Sequence, residues 1–390
     1  MTYLDKLLEG AEVEWRPLGE VAELKRGKSI TRKTTNNGKY PVIAGGQQPA
    51  YYIDEYNIEG ECITVAGSGA YAGYLMYWDK PVFVSDAFSI KVQESTTLTR
   101  YVFHYLLNLQ EIIFRMKRGS GVPHVYAKDV SKILIPIPPL AVQEKIVKIL
   151  DKFTELEKEL EKELEFRKKQ YEYYRDKLLS FEMLTEGGYS LSNVTWKPLG
   201  EVFETRNGYT PSKSNCDFWE NGTIPWFRME DIRLNGRILS DSIQHITPKS
   251  IKGKGLFKAG SIIMATTATI GEHALLIADS LANQQFTNFK IRKSLISQLE
   301  PKFAFYYFYI ISDWCKRNAF ISSFPSVDMN RLKAQLFPIP PLAVQQEIVS
   351  ILDRFDTLTN SITEGLPKEI ELRRKQYEYY RDQLFSFREP

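Results

Sequence analysis

Pro136-Ile-Pro-Pro-Leu-Ala-Val-Gln-Glu-Lys-Ile-Val-Lys-Ile-Leu-Asp151 is written a second time as Pro338-Ile-Pro-Pro-Leu-Ala-Val-Gln-Gln-Glu-Ile-Val-Ser-Ile-Leu-Asp353. Each copy runs into a charged stretch with nearly the same ending, Arg167-Lys-Lys-Gln-Tyr-Glu-Tyr-Tyr-Arg-Asp-Lys-Leu-Leu-Ser-Phe181 and Arg373-Arg-Lys-Gln-Tyr-Glu-Tyr-Tyr-Arg-Asp-Gln-Leu-Phe-Ser-Phe387. An internal repeat of this length is the first constraint on the fold. Its apolar residues recur at steps of three and four, interrupted only at Arg167: Ile146, Leu150, Phe153, Leu156 or Leu160, Leu164, Tyr171, Tyr174, Leu178 and Phe181 in the first copy; the second has Ile348, Leu352 and Phe355 at its start and Tyr377 and Tyr380 near its end. Such a stripe predicts a long helix packed on another. Pro139 and Pro341 stand where a helix can begin, since the first turn does not need the missing N–H. Neither helix can bury its stripe alone, so the spacing predicts that Ile146, Leu150, Phe153, Leu160, Tyr171 and Tyr174 pack against Ile348, Leu352, Phe355, Tyr377 and Tyr380.

Working outward, Tyr3-Leu-Asp-Lys-Leu-Leu8 echoes Tyr174-Arg-Asp-Lys-Leu-Leu179, so residues 1–14 read as a helical stub of the same repeat. Val13-Glu-Trp-Arg-Pro-Leu-Gly-Glu-Val21 returns as Val194-Thr-Trp-Lys-Pro-Leu-Gly-Glu-Val202. Trp15 recurs as Trp196, Pro136 as Pro338 and Arg167 as Arg373; the second intervening region is therefore 21 residues longer, and the second helix four. The extra helical residues fall near Glu364-Gly-Leu-Pro367, where a proline costs a helix interior about 3 kcal/mol and predicts a kink or break. The intervening regions carry short β-rich runs punctuated by Gly, Asn and Asp, then one helical run each. The expected organisation is α+β: a globule over 15–135, a helix over 136–183, a linker over 184–195, a second globule over 196–337 and a second helix over 338–390.

Composition sets bounds. The 390 residues are 43% hydrophobic and 25% charged, with net charge +3, as in a soluble globular chain of two or three domains. That charge neither demands nor excludes nucleic acid, because acidic helices can offset a basic groove. Three widely spaced cysteines favour reduced thiols and a cytoplasmic location over a disulfide frame. No stretch has the shape of a signal peptide or a membrane span.

Catalytic motifs are incomplete. Gly27-Lys-Ser29 lacks the glycine five residues earlier that a P-loop requires, since that position is Ala22. Gly67-Ser-Gly-Ala-Tyr-Ala72 fits a dinucleotide fingerprint, but a strand-like run follows where a helix is needed. The four histidines have no metal-ligand spacing. Pro-Ile-Pro-Pro-Leu lacks the Asn or Asp and the aromatic that flank the Pro-Pro pair of DNA-methyltransferase loops. Recognition chemistry remains. The first globule carries Lys25, Arg26, Lys28, Arg32, Lys33, Lys117, Arg118, His124 and Lys128; the second carries Arg206, Lys213, Arg228, Arg233, Lys252, Lys254, Arg331 and Lys333. Gln47, Gln48, Gln284 and Gln285 can pair with base edges, and Ser68 and Tyr71 sit in the tight Gly67–Ala72 loop. Any one of these is an ordinary surface residue. As a set on two related globules they fit phosphate positioning plus base readout.

The two helical motifs, the Trp-Arg/Lys-Pro-Leu-Gly-Glu-Val openings and the alternation of unlike globules with like helices resemble the DNA-specificity subunit of type I restriction–modification enzymes. The resemblance covers essentially the whole chain. It implies two target-recognition domains held apart by helices that pair as an antiparallel coiled coil, related by a pseudo-twofold internal repeat. Each domain would read one half of a bipartite asymmetric site in double-stranded DNA. Methylation subunits and restriction subunits would dock on this frame and bring S-adenosylmethionine, ATP and Mg; the chain itself would hold no cofactor, no metal and no catalytic residue. Gly365 and Pro367 depart from a continuous second helix. The rival readings are a coiled-coil docking adaptor without DNA readout, and an enzyme with an unrecognised site.

Overall fold

The computed structural model describes residues 3–30, 38–93, 95–185, 194–320, 325–361 and 363–388. The chain divides into two compact units: unit 1 is Met1–Glu161 with Ile370–Pro390, and unit 2 is Lys162–Glu369.

Unit 1 opens with α1 (Tyr3–Leu8), β1 (Glu14–Pro17), α2 (Leu18–Val21), β2 (Ala22–Arg26), β3 (Tyr40–Ile43), β4 (Tyr51–Ile53), β5 (Cys62–Ala66), β6 (Leu75–Trp78), β7 (Phe83–Val84) and β8 (Ala87–Val92). Then come α3 (Thr99–Asn108), α4 (Gln110–Arg115), α5 (Ala127–Val130), β9 (Leu134–Ile137) and the 39-residue α6 (Leu140–Leu178). The strands form a sheet ordered β2-β8-β5-β6 and a smaller one ordered β4-β3-β7. Cys62 to Ala66 are all buried, as befits an apolar, β-branched run covered on both faces.

Unit 2 follows the same plan with additions. After α7 (Phe181–Thr185) come β10 (Thr195–Pro198), α8 (Leu199–Val202), β11 (Phe203–Asn207), β12 (Ile224–Phe227), α9 (Met229–Asn235), β13 (Ile238–Leu239), β14 (His245–Ile246), β15 (Ile262–Ala265), β16 (His273–Leu276), β17 (Leu281–Ala282) and β18 (Phe286–Ile291). The unit closes with α10 (Pro301–Arg317), α11 (Met329–Lys333), β19 (Leu336–Ile339) and α12 (Leu342–Asn360); α13 (Gly365–Leu384) then leads back into unit 1. Its sheets are β11-β18-β15-β16-β13 and β14-β12-β17. The greater length of the second intervening region appears here as α9, β13 and the 3₁₀ turns.

The repeated motifs meet inside each unit. β1 pairs antiparallel with β9, Trp15 opposite Pro136, and β10 pairs with β19, Trp196 opposite Pro338. A two-stranded ribbon tolerates these prolines because an edge can do without the missing donor. Both long helices then start directly after the Pro-Pro pair. The glutamine of Leu-Ala-Val-Gln is fully buried in each copy. Gln143 accepts from the Leu98 N–H at 2.9 Å and donates to the Thr96 and Pro138 carbonyls at 3.0 and 2.8 Å. Gln345 accepts from the Glu300 N–H at 2.8 Å and donates to the Gln298 and Pro340 carbonyls at 2.7 and 2.6 Å. One side chain thus pins the start of the long helix to the loop before the globule's own helix.

The Asp that ends each motif makes a second pin. In unit 1 Asp151 takes hydrogen bonds from Arg100 at 2.7 Å and from the buried His104 Nε2 at 2.8 Å, and His104 Nδ1 lies 3.1 Å from the Tyr377 hydroxyl. Burial lowers the His104 pKa, so the ring is neutral, donating through Nε2 and accepting through Nδ1. Burial alone would raise the Asp151 carboxyl, but the His104 and Arg100 bonds outweigh it and hold the carboxyl below its ordinary range. In unit 2 Asp353 takes Lys302 and the Tyr306 hydroxyl, each at 2.6 Å.

The seam is divided differently from the sequence reading. Ile146 and Leu150 lie in the unit 1 core with Tyr101, Val102, Tyr105 and Leu106 of α3, Leu4 of α1, and Leu384 and Phe385 from the end of α13 and just beyond it. Ile348 and Leu352 lie in the unit 2 core with Phe303, Tyr306 and Tyr307 of α10 and Tyr171 and Leu178 of α6. Periodicity identifies the buried face of a helix but not its neighbour, and here the globule shares that face with the other helix. Direct helix-to-helix ring contacts are Phe153 on Tyr380 in unit 1 at 5.2 Å, and Tyr171 and Tyr174 on Phe355 in unit 2 at 6.2 and 5.6 Å. Arg374 bridges Glu157 and Glu161 one step further along. In unit 1 residue numbers rise on α6 as they fall on α13, so the pairing there is antiparallel. Leu160 is half-buried.

The second helix is interrupted. α12 stops at Asn360 and α13 begins at Gly365, whose φ is +76°. The Ser361 hydroxyl accepts from the Thr363 and Glu364 N–H groups at 3.3 and 3.1 Å, bonding the residues just ahead of the new start. Pro367 therefore falls in a first turn, where its missing N–H does no harm.

Candidate nucleic-acid interface

In unit 1 the candidate residues gather on one rim, where β2, β3, β5 and β7 end and β8 begins. Past Arg26, the Gly27 N–H donates to the Ala87 carbonyl at 2.8 Å and the Lys28 N–H to Val84 at 3.0 Å. A Cβ on Gly27 would collide with the Val84 and Ser85 carbonyls, so only glycine fits this turn. The Ser85 N–H reaches the Ile43 carbonyl at 2.8 Å, and the Gly67 N–H reaches Asp86 at 3.1 Å. Gln47 and Gln48 are exposed on the loop after β3, and Gly45 of that loop packs on the Ser68 carbonyl. The Ser68 hydroxyl bonds the Asp86 carboxylate, and Tyr71 is 47% exposed three residues on.

A hairpin completes the rim. Ser68 bridges to His124, which bridges to Arg118. Lys117 Nζ donates to the Ala70 carbonyl at 3.0 Å, and Arg118 pairs with Asp129 at 3.2 Å while staying exposed. The His124 ring stacks on Tyr126, and the Lys128 ammonium lies 5.7 Å above the same Tyr126 ring. Arg26 and Lys28 are exposed; Arg32 and Lys33 lie outside the described residues.

Unit 2 builds the same rim on the same backbone bonds. The Gly208 N–H donates to Phe286 at 2.8 Å, Tyr209 to Ala282 at 2.9 Å, Asn283 to Phe227 at 3.0 Å and Thr266 to Gln285 at 3.1 Å. Gly208 is as tightly packed as Gly27. Thr267 bridges to Ser326 and Ser326 to Phe320, in the places of Ser68, His124 and Arg118. The side chains on this shared frame differ. Tyr209 stands for Lys28, Gln285 for Asp86, Phe320 for Arg118 and Ser326 for His124.

Arg206 holds its guanidinium 4.6 Å above the Phe257 ring, and burial lowers its pKa. Arg228 follows β12 directly, with Nε 3.6 Å from Glu230. Lys213 is exposed on the loop after Gly208; the Lys252 N–H donates to the Tyr209 hydroxyl at 2.9 Å, and Lys254 is exposed two residues on. Gln284 accepts from Thr210 at 2.5 Å, and the Gln285 Oε1 accepts from Asn283 at 3.3 Å. Arg331, on α11, has its Nη2 3.4 Å from the Oδ1 of Asn318 at the end of α10. Lys333 is not brought to the rim: its Cβ packs against Gly200, at the opposite end of β11 from Gly208. Thr210, Tyr209, Asp86 and Phe320 stand on the rims but have no separate signal in the sequence; only the glycine turns beside them could have marked their loops.

Among the described residues no group of three or more His, Cys, Asp or Glu could hold a metal ion. No described helix is long and apolar enough to cross a membrane.

A family profile for the type I restriction modification DNA specificity domain matches residues 11–166 and 192–372. The specificity subunit of the type I restriction enzyme EcoR124I/EcoR124II of Escherichia coli is 38% identical over 420 aligned residues, covering 100% of this chain and 98% of that one. The EcoprrI specificity subunit of the same organism is 51% identical over 203 residues, about half of each chain (50% and 51%). The S subunit of a type I restriction–modification system from M. genitalium shares the fold, with a TM-score of 0.60 over 100% of both chains at 18% identity. DNA recognition without catalysis follows from the family; a docking-only adaptor and an independent enzyme do not. This chain belongs to the DNA-specificity subunits of type I restriction–modification enzymes.

Proposed function

We propose that each rim reads one half of a bipartite asymmetric site in double-stranded DNA, and that the helices present the bound duplex to methylation and restriction subunits. The observation that carries this reading is the doubled rim: one set of backbone bonds, built twice, with different side chains on it. Arg26, Lys28, Lys117, Arg118 and Lys128 in unit 1, and Arg206, Lys213, Arg228, Lys252, Lys254 and Arg331 in unit 2, supply phosphate contacts. Gln47, Gln48, Ser68, Tyr71, His124, Gln284 and Gln285 supply base and sugar contacts. Lys333 has no part in the rim. S-adenosylmethionine, ATP and Mg belong to the partner subunits, and the complex works in the cytoplasm. The test is to exchange residues 201–337 for those of another family member and map methylation across a genome. One half of the recognised sequence should change and the other stay; a change in both halves defeats independent reading.

A further inference from the structure

Asp86 is out of place among its neighbours. It is exposed on the same unit 1 rim that carries Arg26, Lys28, Lys117 and Arg118, and it makes no ion pair among the described residues. A carboxylate facing a phosphate is repelled, so this group does not serve the backbone of a duplex. It suits a base edge. In the major groove the exocyclic amino groups, cytosine N4 and adenine N6, are the donors, and an ionised carboxylate only accepts.

The carboxylate is also fixed in advance. The Ser68 hydroxyl donates to its Oδ2, and its own carbonyl takes the Gly67 N–H at 3.1 Å. In unit 2 the same backbone position holds Gln285, whose carbonyl takes the Thr266 N–H at 3.1 Å and whose Oε1 is turned by Asn283 at 3.3 Å. A carboxamide both donates and accepts, and the amide's match in the groove is adenine. One frame position therefore offers an acceptor in one unit and a donor–acceptor pair in the other.

Resting on the reading that the rims face DNA, we propose that Asp86 determines specificity. Its carboxylate accepts a hydrogen bond from the exocyclic amino group of one base in the half-site read by unit 1, and Ser68 acts as its positioning residue.

The experiment uses the full chain assembled with its methylation subunits. Methylation mapping fixes the wild-type site, and competition binding then scores duplexes altered one base pair at a time. Asp86→Ala should lose about ten- to a hundredfold of preference at one base pair in one half-site. Preferences in the other half, and the slope of affinity against salt, should stay as in the wild type; the intact half also reports that the variant is folded and assembled. Replacing the contacted base by uracil (for cytosine) or hypoxanthine (for adenine) puts oxygen where the amino group was. That change should weaken the wild type and not Asp86→Ala, and whichever replacement does so names the base. Ser68→Ala should reproduce part of the loss at the same base pair. If Asp86→Ala keeps every base preference and binds all duplexes more tightly, Asp86 is a surface charge and the proposal fails. Loss of preference in both halves also overturns it. A wild-type complex with no sequence preference would instead defeat the reading of the rims as DNA-facing, and the proposal with it.

Discussion

His273 is 1% exposed, caged by the rings of Phe305, Phe308 and Tyr309, with Nδ1 3.1 Å from the Gly271 carbonyl. Burial pushes its pKa down to about 3, and Arg237 adds to the effect. In the unfolded chain a histidine titrates near 6.5, roughly. Between those values only the unfolded chain takes up the proton. Stability of unit 2 should therefore fall as pH drops from about 6.5 towards 3, by about 1.4 kcal/mol per pH unit for one proton. Urea denaturation at pH 7.5, 6 and 5 checks this; the wild type should lose stability more steeply than His273→Phe by that slope. His104, whose pKa burial also lowers, works in the same direction in unit 1. At this scale the sequence is partly legible. Gln143, Gln345, Asp151 and Asp353 are visible as repeated letters, but apart from the Pro138 and Pro340 carbonyls five residues off, the partners that pin them to the globules lie 45 to 51 residues away and arrive only with the fold. Lys333 is indistinguishable from Arg331 in a string of letters, and two positions along a helix point it elsewhere. Asp86 is one acid among many until a glycine turn and a serine loop converge on it.

Gly365 makes the break in the second helix possible. With φ at +76° and no room for a Cβ beside the Thr357 carbonyl, it returns the chain against the end of α12. Gly365→Ala should destabilise unit 2 by about 1–3 kcal/mol, because alanine meets both the left-handed penalty and a backbone collision. Chemical denaturation against the wild type measures it; a loss within about 0.5 kcal/mol, the range of ordinary surface substitutions, would mean the turn adapts. Elements as a class are the readable level. The four extra residues and Pro367 mark the break, the Pro-Pro pairs mark the helix starts, and Cys62–Ala66 and Ile262–Ala265 read as strands from their apolar runs. The neighbour of an element is harder. Ile146 and Ile348 have the spacing of a coiled-coil seam, yet each also serves the core of its globule.

For the whole molecule, the two units differ in how the chain assembles them. Unit 2 is one continuous stretch, whereas unit 1 needs Ile370 and the residues after it. Phe385 sits edge-on to Tyr101 and Tyr105, and Trp15 donates to the Arg388 carbonyl at 3.2 Å. Leu384 is fully buried, so its loss would leave a cavity at the centre of that core. Removing residues 370–387 should leave unit 2 resistant to limited proteolysis and make unit 1 sensitive. Equal resistance of both would show that α13 contributes little to the first core.

The same division sets an order of events during synthesis. A ribosome finishes residue 161 and must add roughly 200 more before the segment that completes unit 1 appears. At about 5–20 residues per second that is on the order of 10–40 seconds. Throughout it the apolar faces of α3 and α6 lack one of their covers, while unit 2 is made and closed as a single run. The half-made first unit is thus the part of the nascent chain exposed to wrong partners, and the last helix works as its clasp.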